Sequence, residues 1–221
     1  MTKGEIAFRE FCEANSISIR RISEANEHQT PDYELTIDDA KVVSEVKDIE
    51  MNDEEKDVQR KMKIGQLQVW GSSRLGSRVR DDIGKANRQL KNLSYGKLPS
   101  ILVLFDTRPI PFNMLYPYEI KVAMYGFETL DLSVSKDFSP PVVIGRRFGP
   151  GKKFTPSQNT STSAVAILEH KNGDVGYQLI IYHNRFASVP LFPSLFRRIA
   201  SVKQLAIKEN IADDFGEWEP T

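Results

Sequence analysis

Leu75, Val79, Ile83, Ala86, Leu90 and Leu93 recur at steps of four, four, three, four and three. That spacing puts all six on one side of a helix and predicts a long amphipathic element with a continuous apolar stripe. Gly96 can end it. The stretch that follows, SILVLFD (100–106), is apolar throughout and too short for a helix, so it reads as a short, fully buried strand. A stripe that must be covered and a strand that must be buried together point to an α/β fold.

The remaining elements are read around these two. Residues 4–15 read as a helix with Phe8, Phe11, Cys12 and Asn15 on one side, and residues 17–23 alternate as a strand. Two further strands are expected at about 32–37 and 42–49, and residues 51–72 as a helix followed by loop. Beyond 106, YEIKVAMYG (118–126) and PPVVIG (140–145) read as strands, and the basic, Gly/Pro/Ser-rich stretch 146–163 as a loop. AVAILEH and GYQLIIYHN flank KNGDV and read as a hairpin of buried strands. A helix around 194–209 and an acidic tail complete the reading. Residues 1–106 form the expected core, and 107–221 an extension of the same domain.

The net charge is zero, with 30 Lys and Arg against 30 Asp and Glu, yet the two signs are segregated. Acids outnumber bases about two to one up to residue 57. From Lys56 to Lys97 about eleven Lys and Arg face three Asp. Clustered cations gain by releasing counterions from a polyanion, and a solvated helix face explains the same block. No run approaches the roughly 20 apolar residues of a membrane span, and the first residues do not read as a secretory signal. The single cysteine, Cys12, reads as a small buried hydrophobe. A cytoplasmic protein with no membrane partner is the expectation.

TPDYELTIDDAKVVSEVKD (30–48) concentrates charge on a hairpin. With a two-residue turn at Asp39 and Ala40, Asp32 falls opposite Lys47 and Glu34 opposite Glu45. One face then carries Asp32, Glu34, Thr36, Val43, Glu45 and Lys47; the other carries Tyr33, Leu35, Ile37, Val42, Ser44 and Val46. Adjacent carboxylates repel unless something positive lies between them. A divalent cation such as Mg²⁺ fits that need, while Lys47 offers partial compensation without one. The face is therefore either a metal site or the wet side of a hairpin.

Pro31-Asp32, twelve intervening residues and Glu45-Val46-Lys47 resemble the PD-(D/E)xK signature of the restriction-endonuclease-like superfamily. The order helix, three strands, helix, strand over residues 4–106 is similar to that family's core. GEIAFREFCEANSISIRRI (4–22) resembles the opening of archaeal-type Holliday junction resolvases and related nucleases, where a glutamate on the first helix serves the metal site. The match falls on Glu5, with Glu10 the other candidate. On the long helix Arg78, Asp82, Lys85 and Gln89 form a polar line, and GKANRQL (84–90) resembles the helix that follows the motif in such nucleases.

The resemblance implies a restriction-endonuclease-like α/β fold, a central mixed sheet flanked by helices, with a β-rich C-terminal elaboration. It implies hydrolysis of nucleic-acid phosphodiesters, DNA ahead of RNA, with Mg²⁺ or Mn²⁺. Asp32 and Glu45 would bind the metal with the Val46 carbonyl, Lys47 would orient water and stabilise charge, and Glu5 would assist. Arg74, Arg78, Arg80, Lys85, Arg88 and Gln89 would follow the phosphate backbone, with Lys152, Lys153 and Glu34 as additional candidates. Homodimerisation is common among the resembling nucleases. The competing expectation is a catalytically silent module of the same fold that binds nucleic acid or protein.

Overall fold

The structure, a computed structural model, describes residues 1–23, 30–69, 75–94, 97–113, 115–136, 140–171, 175–208 and 216–221. The first helix, α1 (Lys3–Ala14), opens with a reciprocal cap in which the Thr2 hydroxyl accepts from Glu5 N–H and the Glu5 carboxylate accepts from Thr2 N–H. Three antiparallel strands follow, β1 (Ser18–Arg21), β2 (Tyr33–Ile37) and β3 (Ala40–Ile49). Helices α2 (Asp53–Lys63) and α3 (Ser77–Ser94) then lead into β4 (Ser100–Asp106), which pairs parallel to β3. The helix predicted from the stripe is α3, and the buried strand predicted at 100–106 is β4.

The second half of the chain extends the same sheet. After α4 (Pro117–Tyr125) and a separate two-stranded ribbon, β5 (Glu128–Ser133) with β6 (Val142–Phe148), strand β7 (Ala164–His170) pairs parallel to β4. Strands β8 (Tyr177–His183), β9 (Val202–Ile207) and β10 (Trp218–Pro220) finish one eight-stranded mixed sheet of order β1-β2-β3-β4-β7-β8-β9-β10. Alternate residues divide between its faces. Val46, Ile101, Val103 and Phe105 pack with Phe8 and Phe11 of α1, whereas Val43, Leu102 and Leu104 pack with Val79, Ile83, Ala86 and Leu90 of α3. A helix on each side explains why β4 is apolar throughout. No helix among the described residues is long and apolar enough to cross a membrane.

Two expectations fail. Residues 118–126 are helix, not strand. Pro117 occupies the first turn, Gly126 ends the helix at φ +93°, and Ile120 through Tyr125 are all buried. A helix buried on every side has the same uniform apolarity as a buried strand, so periodicity cannot separate them. The helix expected around 194–209 is a single 3₁₀ turn, Pro193–Phe196, followed by β9. Leu195, Phe196, Ile199 and Val202 are spaced as if helical, but they pack on the α1 side of the sheet through that turn and the strand entry. The turn centre of the β7–β8 hairpin at 172–174 lies outside the described residues, as does Gly96.

The β2–β3 register also differs. Asp38 and Asp39, at φ 45° and 67°, form the turn, so Ile37 pairs with Ala40 and Tyr33 with Ser44. Two successive positive φ values give the turn type whose twist suits a hairpin, and aspartate tolerates that conformation better than most side chains. The shift is two residues, so every side chain keeps its expected face while its opposite partner changes. Glu34 lies across from Val43 rather than Glu45, and the next step of the same register sets Asp32 across from Glu45.

Candidate active site

Asp32 sits just before β2. Its carbonyl accepts from Ile22 N–H at 2.9 Å and its Oδ2 from Val46 N–H at 2.8 Å. The carboxylate thus takes the place of a ladder partner where β2 has not yet begun. In an extended strand one residue's N–H and C=O point to the same side, so the Val46 carbonyl also faces the Asp32 side of β3.

Glu45 is 1% exposed and lies on the α3 face. Lys47 Nζ is 2.5 Å from its Oε1. Even so, neither carboxylate oxygen receives a well-directed hydrogen bond. Burial raises the Glu45 carboxyl, the nearby Asp32 charge raises it further, and Lys47 and Gln89 only partly offset this, leaving it at about 7. Asp32 is raised as well, first by burial, with Glu5 adding to the effect and the Val46 amide opposing it. Two acids in hydrogen-bonding reach, inside a low dielectric, need a shared proton or a cation.

Glu5 approaches from the opposite, α1 side. Gly4 N–H donates to Asp48 Oδ1 at 2.9 Å, and a Cβ on Gly4 would come within 2.3 Å of that oxygen. The missing side chain lets the start of α1 press against β3. Glu5 is buried there, 3.7 Å from Arg21 and 3.6 Å from the terminal amine, close enough for its charge to act on Asp32. Glu10 instead hydrogen-bonds Tyr177 on β8. Of the two glutamates, Glu5 is the one near the acid pair. Glu34 points elsewhere, paired with Arg20 at 3.1 Å and Lys41 at 3.2 Å.

The crossover topology brings α3 to the same place. A helix linking parallel β3 and β4 runs antiparallel to them, so its later residues face the earlier part of β3. Gln89 accordingly reaches Glu45, and Asp82, two turns earlier, senses Lys47. The polar line along the stripe is not uniform, however. Arg78 is bound to Glu55 at 2.7 Å and to the Glu50 carbonyl at 2.9 Å. Arg80 holds its Nη1 buried on the other flank, and Lys85 and Arg88 are exposed. Lys152 and Lys153 follow β6, and Arg74 lies outside the described residues. His170 packs on Tyr177, and His183 bonds Gln204, so neither joins the acid pair.

A hard divalent cation suits the donor set of Asp32, Glu45 and the Val46 carbonyl, because two carboxylates lie together in a buried site that Lys47 and Gln89 only partly neutralise. Among the described residues no three His, Cys, Asp or Glu side chains converge as metal ligands, so a bound ion would draw its remaining oxygens from water.

Glu45→Gln is expected to stabilise the metal-free protein at pH 8. With its folded pKa raised from 4.5 to about 7, Glu45 retains in the fold a proton that the unfolded chain releases. Stability therefore falls as pH rises through that window and stays low above it. Glutamine cannot ionise, and its amide can donate to Asp32. The gain above pH 7 should be on the order of 2 kcal/mol, a rise of about 4–8 °C in Tm. Thermal melts in EDTA at pH 8 and pH 4 check this, the difference disappearing at the lower pH.

Sequence reasoning missed the buried cluster of Glu55, Arg78, Asp106 and Arg108 at the carboxyl ends of β3 and β4. Only its capping half was written locally, as Asn52 three residues before Glu55. Comparison of the chain with known protein families, with curated proteins and with solved structures found no match in any of the three.

Proposed function

We propose that this chain is a Mg²⁺-dependent nuclease, hydrolysing nucleic-acid phosphodiesters, DNA ahead of RNA, at Asp32, Glu45 and Lys47. The observation that carries the reading is the buried pair of carboxylates, Glu45 against Asp32, which raise each other's pKa by burial and charge and which Lys47 and Gln89 only partly neutralise. A fold gains nothing by burying two mutually repelling acids, and such pairs concentrate at functional sites.

Asp32, Glu45 and the Val46 carbonyl would hold the ion. When bound, it acidifies a water and neutralises charge on the phosphate. Lys47, about one-third exposed at 29%, reaches both the acid pair and solvent. In this reading it orients the attacking water and stabilises negative charge on the phosphoryl oxygens. Gln89 steadies Glu45 from α3, and Glu5 holds negative charge beside Asp32.

One contact favours a silent module instead: Lys47 already lies on Glu45 and partly neutralises it. A cleavage panel of plasmid, single-stranded, branched DNA and RNA, with Mg²⁺ or Mn²⁺, separates the two. The nuclease reading expects cleavage by the wild type and a loss of about 10²-fold or more in Lys47→Ala. Absence of cleavage of every substrate by the wild type would leave the silent module standing.

A further inference from the structure

The ribbon of β5 and β6 stands apart from the eight-stranded sheet, and its two faces differ. Cross-strand partners share a face. Thr129, Asp131 and Ser133 lie on one face with Arg147, whose Nε is 3.0 Å from Asp131 Oδ2. Glu128, Leu130 and Leu132 lie on the other, opposite Phe148, Arg146 and Val143. Ile144 is the extra residue of a bulge beside Val143, and Val134 follows the end of β5.

The second face begins in the core and leaves it. Phe148, at the root, is buried against Tyr125, with ring centroids 5.4 Å apart. Further out, Leu130, Leu132, Val134, Val143 and Ile144 are between 47% and 70% exposed. The polar face is the better covered, Thr129 and Asp131 being half-buried. A ribbon adapted to water does the reverse, turning its apolar side chains to the body and its charges to solvent. Two strands by themselves are also marginally stable and need a further layer against their apolar face.

Charge and area both point to a second copy of this chain as the cover. Glu128 is exposed at the root and Lys136 at the far end, eight residues on, about 27 Å of extended chain. Ribbons stacked root to tip about a twofold axis set Glu128 of each copy by Lys136 of the other, whereas stacking root to root sets like charges together. Side chains so exposed offer roughly 500 Å² per copy, so a pair buries roughly 1,000 Å², about the least that a specific interface needs.

We propose that the apolar face of the β5–β6 ribbon is a homodimer interface, in which two ribbons stack root to tip, about 10 Å apart, into a four-stranded sandwich. A catalytically silent module would dimerise in the same way, because no residue of the acid pair takes part.

Sedimentation equilibrium of the full chain tests the interface. The wild type should pass from 25.1 kDa to twice that mass as concentration rises, with a dissociation constant in the micromolar range. Leu132→Asp puts a charge at the centre of the stack and should weaken the dimer by about 10²-fold or more. Its circular dichroism should stay that of the wild type, since residue 132 is exposed in the monomer. Phe192→Ser, which removes an exposed aromatic outside the ribbon, should leave association unchanged. Glu128→Lys and Lys136→Glu should each weaken association about tenfold, and the two combined should restore it. A wild type that stays monomeric up to about 100 µM overturns the proposal and leaves the face to a different protein. A Leu132→Asp dimer as tight as the wild type overturns it as well, as does a combined charge reversal that associates no better than its single parents.

Discussion

Asp32→Asn is expected to lower the rate of nucleic-acid cleavage by on the order of 10³-fold while leaving oligonucleotide affinity within about twofold of the wild type. The substitution separates two jobs of one side chain. Asparagine Oδ1 can still accept from Val46 N–H, the 2.8 Å contact that closes the end of the hairpin, so the fold keeps its ladder. What is lost is the negative charge opposite Glu45. Without it Glu45 no longer feels a like charge, its carboxyl falls back toward the ordinary range, and Lys47 alone can satisfy it. The metal-free protein should then be as stable as the wild type or more so, and stabilisation by Mn²⁺ in thermal melts should largely disappear. Asp32→Ala should show the same loss of cleavage and cost about 1 kcal/mol besides, since it leaves the Val46 N–H without its acceptor. Undiminished cleavage by Asp32→Asn would sink the metal-dependent reading, because among the described residues Asp32 is the carboxylate that acts on Glu45.

The acid pair was legible because face assignment on a strand depends only on parity. The expected turn at Asp39–Ala40 was wrong by one position, and the pairing moved by two residues, but Glu45 and Lys47 stayed on the polar face. The specific repulsion expected between Glu34 and Glu45 did not survive. Glu34 found Arg20 and Lys41, and Asp32 took its place. The stripe of α3 and the apolarity of β4 were equally readable, each being a local pattern with one physical solution. Elsewhere the pattern had two. The all-apolar segment at 118–126 fits a strand or a sheathed helix, and only tertiary context chose. Long-range charge pairing was the least visible of all. Arg78 belongs by spacing to the polar line along the α3 stripe, yet its partner Glu55 lies on α2, 23 residues earlier, and no periodicity connects them.

Arg108→Met should destabilise the protein by about 3–5 kcal/mol, lowering Tm by roughly 10 °C. Its guanidinium is 6% exposed and holds Asp106 in a two-point grip, Nε to Oδ1 at 2.8 Å and Nη2 to Oδ2 at 2.7 Å. Nη1 reaches Glu55 Oε1 at 3.1 Å, and the other oxygen of Glu55 accepts from Arg78 and from the Asn52 amide that begins α2. One cation therefore ties the end of β4 to the first turn of α2, and through Arg78 to the start of α3. Methionine fills similar volume but strands Asp106 without its cation in a partly dry site. Breaking one partner of such a cluster costs more than the cluster contributes, since an unpaired charge remains. Burial alone would raise Glu55, but Arg78, the Asn52 amide and Arg108 outweigh it and hold the carboxyl below its ordinary value. Its contribution is present above about pH 4.5 and is lost as pH falls through the lower folded value, so the wild type should shed part of its advantage over Arg108→Met in acid. Adding Asp106→Asn to Arg108→Met removes the stranded charge and should recover about half of the loss. Denaturant unfolding at pH 7 and pH 3.5 measures all three proteins, and an Arg108→Met variant as stable as the wild type at pH 7 would mean that α2 and α3 are positioned by their apolar contacts alone.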